Sequence, residues 1–117
     1  MAQGISLVVF PAKDLAAAKA LYTRLLGVEP YVDESYYVGY RVGDQEVGLD
    51  PRGDTPGPIP YWETGDIAST IDELVAAGAN ERDAVRNVGG GLLVASVTDP
   101  AGNVIGLRQA PTQPGSH

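Results

Sequence analysis

Hydrophobic and polar positions along the chain change period several times, and the changes mark its elements. Ile5-Ser6-Leu7-Val8-Val9-Phe10 is a short β-rich apolar run closed by Pro11, the pattern of a strand buried on both faces. Asp14 then stands where a helix cap belongs, and Leu15, Ala18, Tyr22 and Leu25 follow at i, i+3, i+7 and i+10 as a buried stripe that Gly27 ends. Tyr31-Val32-Asp33, preceded by Pro30, predicts a short edge strand. From Tyr36 to Val42 the chain alternates: Tyr36, Val38, Tyr40 and Val42 share one face, and Tyr37, Gly39 and Arg41 the other. Gly43-Asp44 is a hairpin turn into a strand from Gln45 to Leu49.

The order then repeats. Residues 51–60 hold too much proline and glycine for a helix or a central strand and predict a linker. Tyr61-Trp62-Glu63-Thr64 predicts a strand, and Asp66 caps a helix with Ile67, Ile71, Leu74 and Val75 on its inner face. Asn80 to Asn87 is polar and weakly patterned, whereas Leu92 to Thr98 is a clear strand after the Gly89-Gly90-Gly91 turn. Asp99-Pro100-Ala101-Gly102-Asn103 is a turn into a last strand, Val104 to Gln109. Gly43-Asp44-Gln45-Glu46-Val47-Gly48-Leu49 matches Gly102-Asn103-Val104-Ile105-Gly106-Leu107, each running from a turn glycine into a strand ending Gly-Leu. These correspondences predict an α+β chain of two βαβββ repeats: 1–50, a linker over 51–60, 61–109, and a flexible tail over 110–117. The 117 residues form one structural domain, too short for two independent cores.

Composition removes several chemistries. There is no cysteine, hence no disulfide, thiolate metal site or cysteine nucleophile, and the one histidine, His117, is the last residue. Any metal would have to be held by oxygen ligands. The glycine triplet lacks the spacing and following helix of a phosphate-binding loop, and no Ser/His/Asp set exists. A net charge of −7 argues against nucleic acid and anionic membranes, while it suits a neutral or cationic small molecule. No long apolar run and no signal-peptide pattern is present, which sets a cytoplasmic location as the expectation.

The helix ending Leu21-Tyr22-Thr23-Arg24-Leu25-Leu26-Gly27, the duplicated unit and the segment Asp99-Pro100-Ala101-Gly102-Asn103-Val104-Ile105-Gly106-Leu107 resemble the vicinal oxygen chelate superfamily of glyoxalases, bleomycin-resistance proteins and extradiol dioxygenases. The resemblance covers roughly residues 5 to 109 and implies a cupped sheet. It also implies metal ligands on the first and last strands of each unit in metal-bearing members. Here those positions hold Gly106 in place of the usual glutamate, Gly48 in the first repeat, Ser6 to Val8 on one first strand and Ile59 to Tyr61 on the other. No cofactor is therefore expected. The two glycines read equally as bends of the sheet or as the floor of a widened cup.

With Leu49 and Leu107 toward the helices, Glu46, Gly48, Asp50, Val104, Gly106 and Arg108 turn into the cup, as do Tyr37, Gly39 and Arg41. The candidate ligand-binding residues are Tyr37, Gly39, Tyr40, Glu46, Gly48, Tyr61, Trp62, Gly106 and Arg108, with Glu63 a further polar anchor. Core packing competes with a ligand role for Tyr36, Tyr40 and Trp62, and either Tyr61 or Trp62 points inward. Small members of the superfamily that lack metal ligands are often binding proteins. The resemblance thus implies a homodimeric, metal-free protein that sequesters a planar, partly apolar antibiotic or natural product. The alternatives are a glyoxalase-like lyase or isomerase working through carboxylates, and a dimeric scaffold without a small ligand.

Overall fold

The structure is a computed structural model that describes residues 2–111; His117 and the tail expected beyond residue 111 lie outside it. Its elements run β1 (Ala2–Pro11), α1 (Leu15–Leu26), β2 (Val32–Glu34), β3 (Tyr37–Val42), β4 (Gln45–Asp50), β5 (Ile59–Thr64), α2 (Ile67–Ala76), β6 (Asn80–Asn87), β7 (Leu93–Thr98) and β8 (Val104–Gln109). Two compact βαβββ units result, one over residues 5–60 and the other over residues 61–111 together with residues 2–4.

In the first unit the strand order is β2-β3-β4-β1, antiparallel from β2 to β4 and parallel between β4 and β1. The Asp14 carboxylate accepts the Ala17 N–H at 3.0 Å and so caps α1. At the far end Gly27, with φ of 71°, takes the left-handed conformation that lets its N–H reach the Thr23 carbonyl. Leu15, Ala18, Tyr22 and Leu26 pack against buried Val38, Tyr40 and Leu49. Leu25, expected in that stripe, is 71% exposed instead. Leu26, next along the chain, rotates into the contact that Leu25 misses.

The second unit has the order β5-β8-β7-β6, with β5 parallel to β8 and the remaining pairs antiparallel. Asp66 caps α2 through the Ser69 N–H at 3.1 Å, and the Gln109 side-chain oxygen accepts the Ile67 N–H at 2.8 Å, tying the end of β8 to the start of the helix. Ile67 and Ile71 pack with Ala95, Val97 and Leu107, and burial of each of the four larger side chains contributes about 1.5–3 kcal/mol. Val75, expected on the inner face, is 46% exposed, because the stripe ends at Leu74.

Two further differences from the sequence pattern are local, the start of β5 and the whole of β6. β5 begins at Ile59, inside the stretch read as linker. Asn80–Asn87, weakly patterned, forms a strand exposed along its whole length, so neither face carries the apolar alternation by which strands are recognised. Its pairing with β7 slips twice, between Glu81 and Asp83 and between Asp83 and Arg86. The Asp99 to Asn103 turn is held by its own side chains: the Asp99 carboxylate accepts the N–H groups of Ala101 and Asn103 and the Asn103 amide at 2.8–3.0 Å.

Candidate binding faces

Each unit covers one face of its sheet with a helix, and strand alternation assigns every candidate residue to the helix side or the opposite side. In the first unit β3 and β4 align Gly39 with Gly48 and Arg41 with Glu46 on the side away from α1. Leu7 and Val9 of β1 share that side, in register with Glu46 and Gly48. The ladder is regular through the glycine pair and neither glycine has a positive φ, so bend and bulge are not what they supply. They supply room. A Cβ at Gly48 would stand 2.7 Å from Cζ and 2.9 Å from Cε1 of Tyr37, with the hydroxyl oxygen closer still, and one at Gly39 would meet Tyr37 Cε2 at 3.1 Å. The Tyr37 ring therefore lies across both glycines.

Two further side chains edge this plate. Tyr31 comes within 3.4 Å of where a Gly39 Cβ would be, donates its hydroxyl to Glu46, and carries the Arg41 guanidinium 4.0 Å from its ring centroid. Tyr31 is absent from the candidates drawn from sequence. It precedes β2, where no alternation assigns a face, and its backbone N–H bonds to the Gly39 carbonyl at 2.9 Å, bringing it over β3.

Tyr40 requires correction as a ligand-binding candidate. It has no exposed surface, packs beneath α1 with Val38 and Leu49, and its hydroxyl meets the Thr23 hydroxyl at 2.8 Å and the Lys19 carbonyl at 3.0 Å. Its polar tip is consumed in locking helix to sheet.

In the second unit the register sets Tyr61 beside Gly106, Trp62 beside Leu107 and Glu63 beside Arg108. Trp62 packs on the helix-side core, which corrects it as a binding candidate and turns Tyr61 to the opposite side. That side carries two cross-strand rows. One is Tyr61, Gly106, Ser96 and Asp83; the other is Glu63, Arg108, Val94 and Arg86. Arg108 Nη1 lies 3.7 Å from Glu63 Oε2, the two side chains being 15% and 26% exposed. The buried Ser96 hydroxyl donates to Asp83 Oδ2 at 2.7 Å, and Arg82 donates to the same oxygen at 2.6 Å. Sequence reasoning missed the Ser96 and Asp83 pair, because β6 carries no periodic signal.

Among the described residues no group of three or more His, Cys, Asp or Glu is placed to hold a metal ion. The strand positions at issue present Leu7 and Gly48 in one unit and Tyr61 and Gly106 in the other; leucine and glycine bring no side-chain donor, and Tyr61 brings a single phenol oxygen. Lys19 is raised by its hydrogen bond to the Asp33 carboxylate, and Asp99 is lowered by the Asn103 amide and the N–H groups of its turn.

The family model described as Glyoxalase/Bleomycin resistance protein/Dioxygenase superfamily matches residues 4–107. The chain belongs to that superfamily. Among solved structures similar to this glyoxalase-superfamily chain is methylmalonyl-CoA epimerase from Mycobacterium tuberculosis, at 18% identity and a TM-score of 0.70, covering 96% of this chain and 90% of that one. A glyoxalase/bleomycin resistance protein/dioxygenase superfamily member from Vibrio splendidus 12B01 shares 15% identity at a TM-score of 0.66, covering 89% and 97%. The Mn(II)-bound glyoxalase from Novosphingobium aromaticivorans shares 18% identity at 0.73, covering 98% of this chain and 43% of that one. At these identities the likeness is one of fold. A comparison with curated protein sequences finds no match.

Proposed function

We propose that this glyoxalase-superfamily chain is a metal-independent small-molecule binding protein that sequesters a flat, partly apolar ligand such as an antibiotic or other natural product. The observation that carries the reading is the Tyr37 ring laid across Gly39 and Gly48. At a strand position where metal-bearing relatives would offer a ligand atom, this chain offers an aromatic plate. A planar ligand stacked on it gains about 0.5–1.5 kcal/mol per aromatic pair beyond simple burial. Glu46 beside the plate and the net charge of −7 favour a ligand with a cationic group. The mechanism is stoichiometric capture, with Tyr37 and Tyr31 as platform and Glu46 as polar anchor.

Native mass spectrometry against a panel of planar natural products tests this reading. The expected result is one or more retained masses that Tyr37→Ala releases and Tyr40→Phe does not. Conversion of a panel compound to a new mass would replace capture with catalysis, and retention unchanged by Tyr37→Ala would place binding elsewhere.

A further inference from the structure

The first unit holds a cation of its own against the candidate face. Arg41 is exposed, and its guanidinium carbon sits 4.0 Å from the centroid of the Tyr31 ring. Tyr31 is fixed twice: its N–H bonds to the Gly39 carbonyl at 2.9 Å, and its hydroxyl donates to the Glu46 carboxylate. Glu46 stands directly across from Arg41 in the pairing of β3 with β4, and the pairing of β2 with β3 brings Glu34 to the same side, beside Tyr37. Tyr31 Cε1 and Tyr37 Cε2 lie 3.4 and 3.1 Å from one point, where a Gly39 Cβ would be, so the two rings adjoin. A planar cation thus rests on an aromatic face among carboxylates, with a second ring alongside, and it is held there by a flexible, exposed side chain.

We propose that Arg41 is an internal competitor: its guanidinium fills the cation seat of the free protein, and a ligand bearing a flat amidinium or guanidinium group displaces it. This rests on the reading of the face as a ligand site and names the charged group that the ligand carries there. The chemistry of the resident cation selects the class. An ammonium is a compact, strongly hydrated point charge, whereas guanidinium and amidinium groups are planar, stack on a ring and fork onto a carboxylate. Exchange is easy, because a cation held over a ring at an exposed site is held weakly. A ligand whose amidinium is joined to an aromatic ring can meet Tyr31, Glu46 and the Tyr37 plate in one pose, since the two tyrosine rings adjoin. Arg41 then acts as a filter: it raises the concentration at which any cation binds and leaves uncharged planar molecules without the means to evict it.

Benzamidine, a planar amidinium, and benzamide, its uncharged analogue, are the probes, each titrated into the full chain and followed by NMR. In the free protein the Tyr31 ring current shifts the Arg41 δ-methylene protons upfield. Saturating benzamidine returns them toward the positions of a solvated arginine, and benzamide at the same concentration does not. Arg41→Gln tightens benzamidine about two- to five-fold, the share of the seat that the internal cation withholds. Removing a positive charge also favours any cation through the field alone, so the same substitution is repeated in a Tyr31→Leu background. Displacement requires the gain to vanish there, whereas a field effect persists. Residues 31 and 41 are both exposed, and circular dichroism checks that the variants stay folded. Benzamidine bound with the Arg41 resonances unmoved, a gain that survives Tyr31→Leu, or no binding to Arg41→Gln would overturn the proposal. The plate reading is judged apart from it, by neutral planar compounds that wild type retains and Tyr37→Ala releases.

Discussion

Substituting alanine for Gly48 adds one methyl group, and the structure says what it strikes. The new Cβ would stand 2.7 Å from Tyr37 Cζ, against the 3.5–4.0 Å at which carbon atoms rest, so the ring must retreat by about 1 Å. Overpacking of this kind costs about 1–3 kcal/mol, and for a chain of this size each kcal/mol lowers the melting temperature by about 4 °C. Gly48 has no positive φ, so backbone strain adds nothing and the loss is steric. The assay is a double-mutant cycle followed by thermal melting. In a Tyr37→Ala background the same Gly48→Ala change no longer meets the tyrosine ring and costs much less, giving a coupling of about 0.5–3 kcal/mol. An equal cost in both backgrounds would refute the reasoning, because the tyrosine would then not be what occupies the space over the glycine.

Three other outcomes are expected. Tyr40→Phe, which strips the hydroxyl from its contacts with Thr23 and Lys19, lowers stability in denaturant titrations by about 1 kcal/mol and leaves ligand retention intact. Glu46→Gln removes the charged anchor beside the Tyr37 plate; it weakens retention of cationic ligands in titrations while far-UV circular dichroism stays unchanged. Asp99 is held below its usual value of 3.8, so its stabilising contribution is complete above that pH and is lost as the pH falls through the lowered folded-state value. Acid unfolding followed by circular dichroism is therefore less steep below 3.8 for Asp99→Asn than for wild type.

Capping and turn chemistry made the frame legible. Asp14, Asp66, Gly27 and Asp99 each act through atoms within four residues of themselves, and such local bonds can be read from spacing alone. Alternation was equally informative where one face was buried: it put Tyr37 opposite Val38 and Tyr40, and on that logic Tyr40 never belonged with the binding residues. Failures came where local pattern ran out. A run as short as Tyr61 to Thr64 cannot say whether Tyr61 or Trp62 faces the helix; pairing with Leu107 on a distant strand decides it. Leu25 and Leu26 are both apolar, and a rotation of one residue along the helix exchanges which is covered. Tyr31 enters the candidate site through a backbone bond to β3 and contacts with Glu46 and Arg41, none of them encoded near it in sequence.

Strand β6 governs how the protein behaves when crowded. As the last strand of its unit's order it offers its outer backbone to any extended segment that drifts past. Its two slips in register, however, break that outer rail into short pieces that no straight strand can follow, and Glu81, Arg82, Asp83 and Arg86 line it with charge of both signs. Growth by strand addition thus terminates itself. An edge that refuses to polymerise lets the chain reach high concentration without forming fibres.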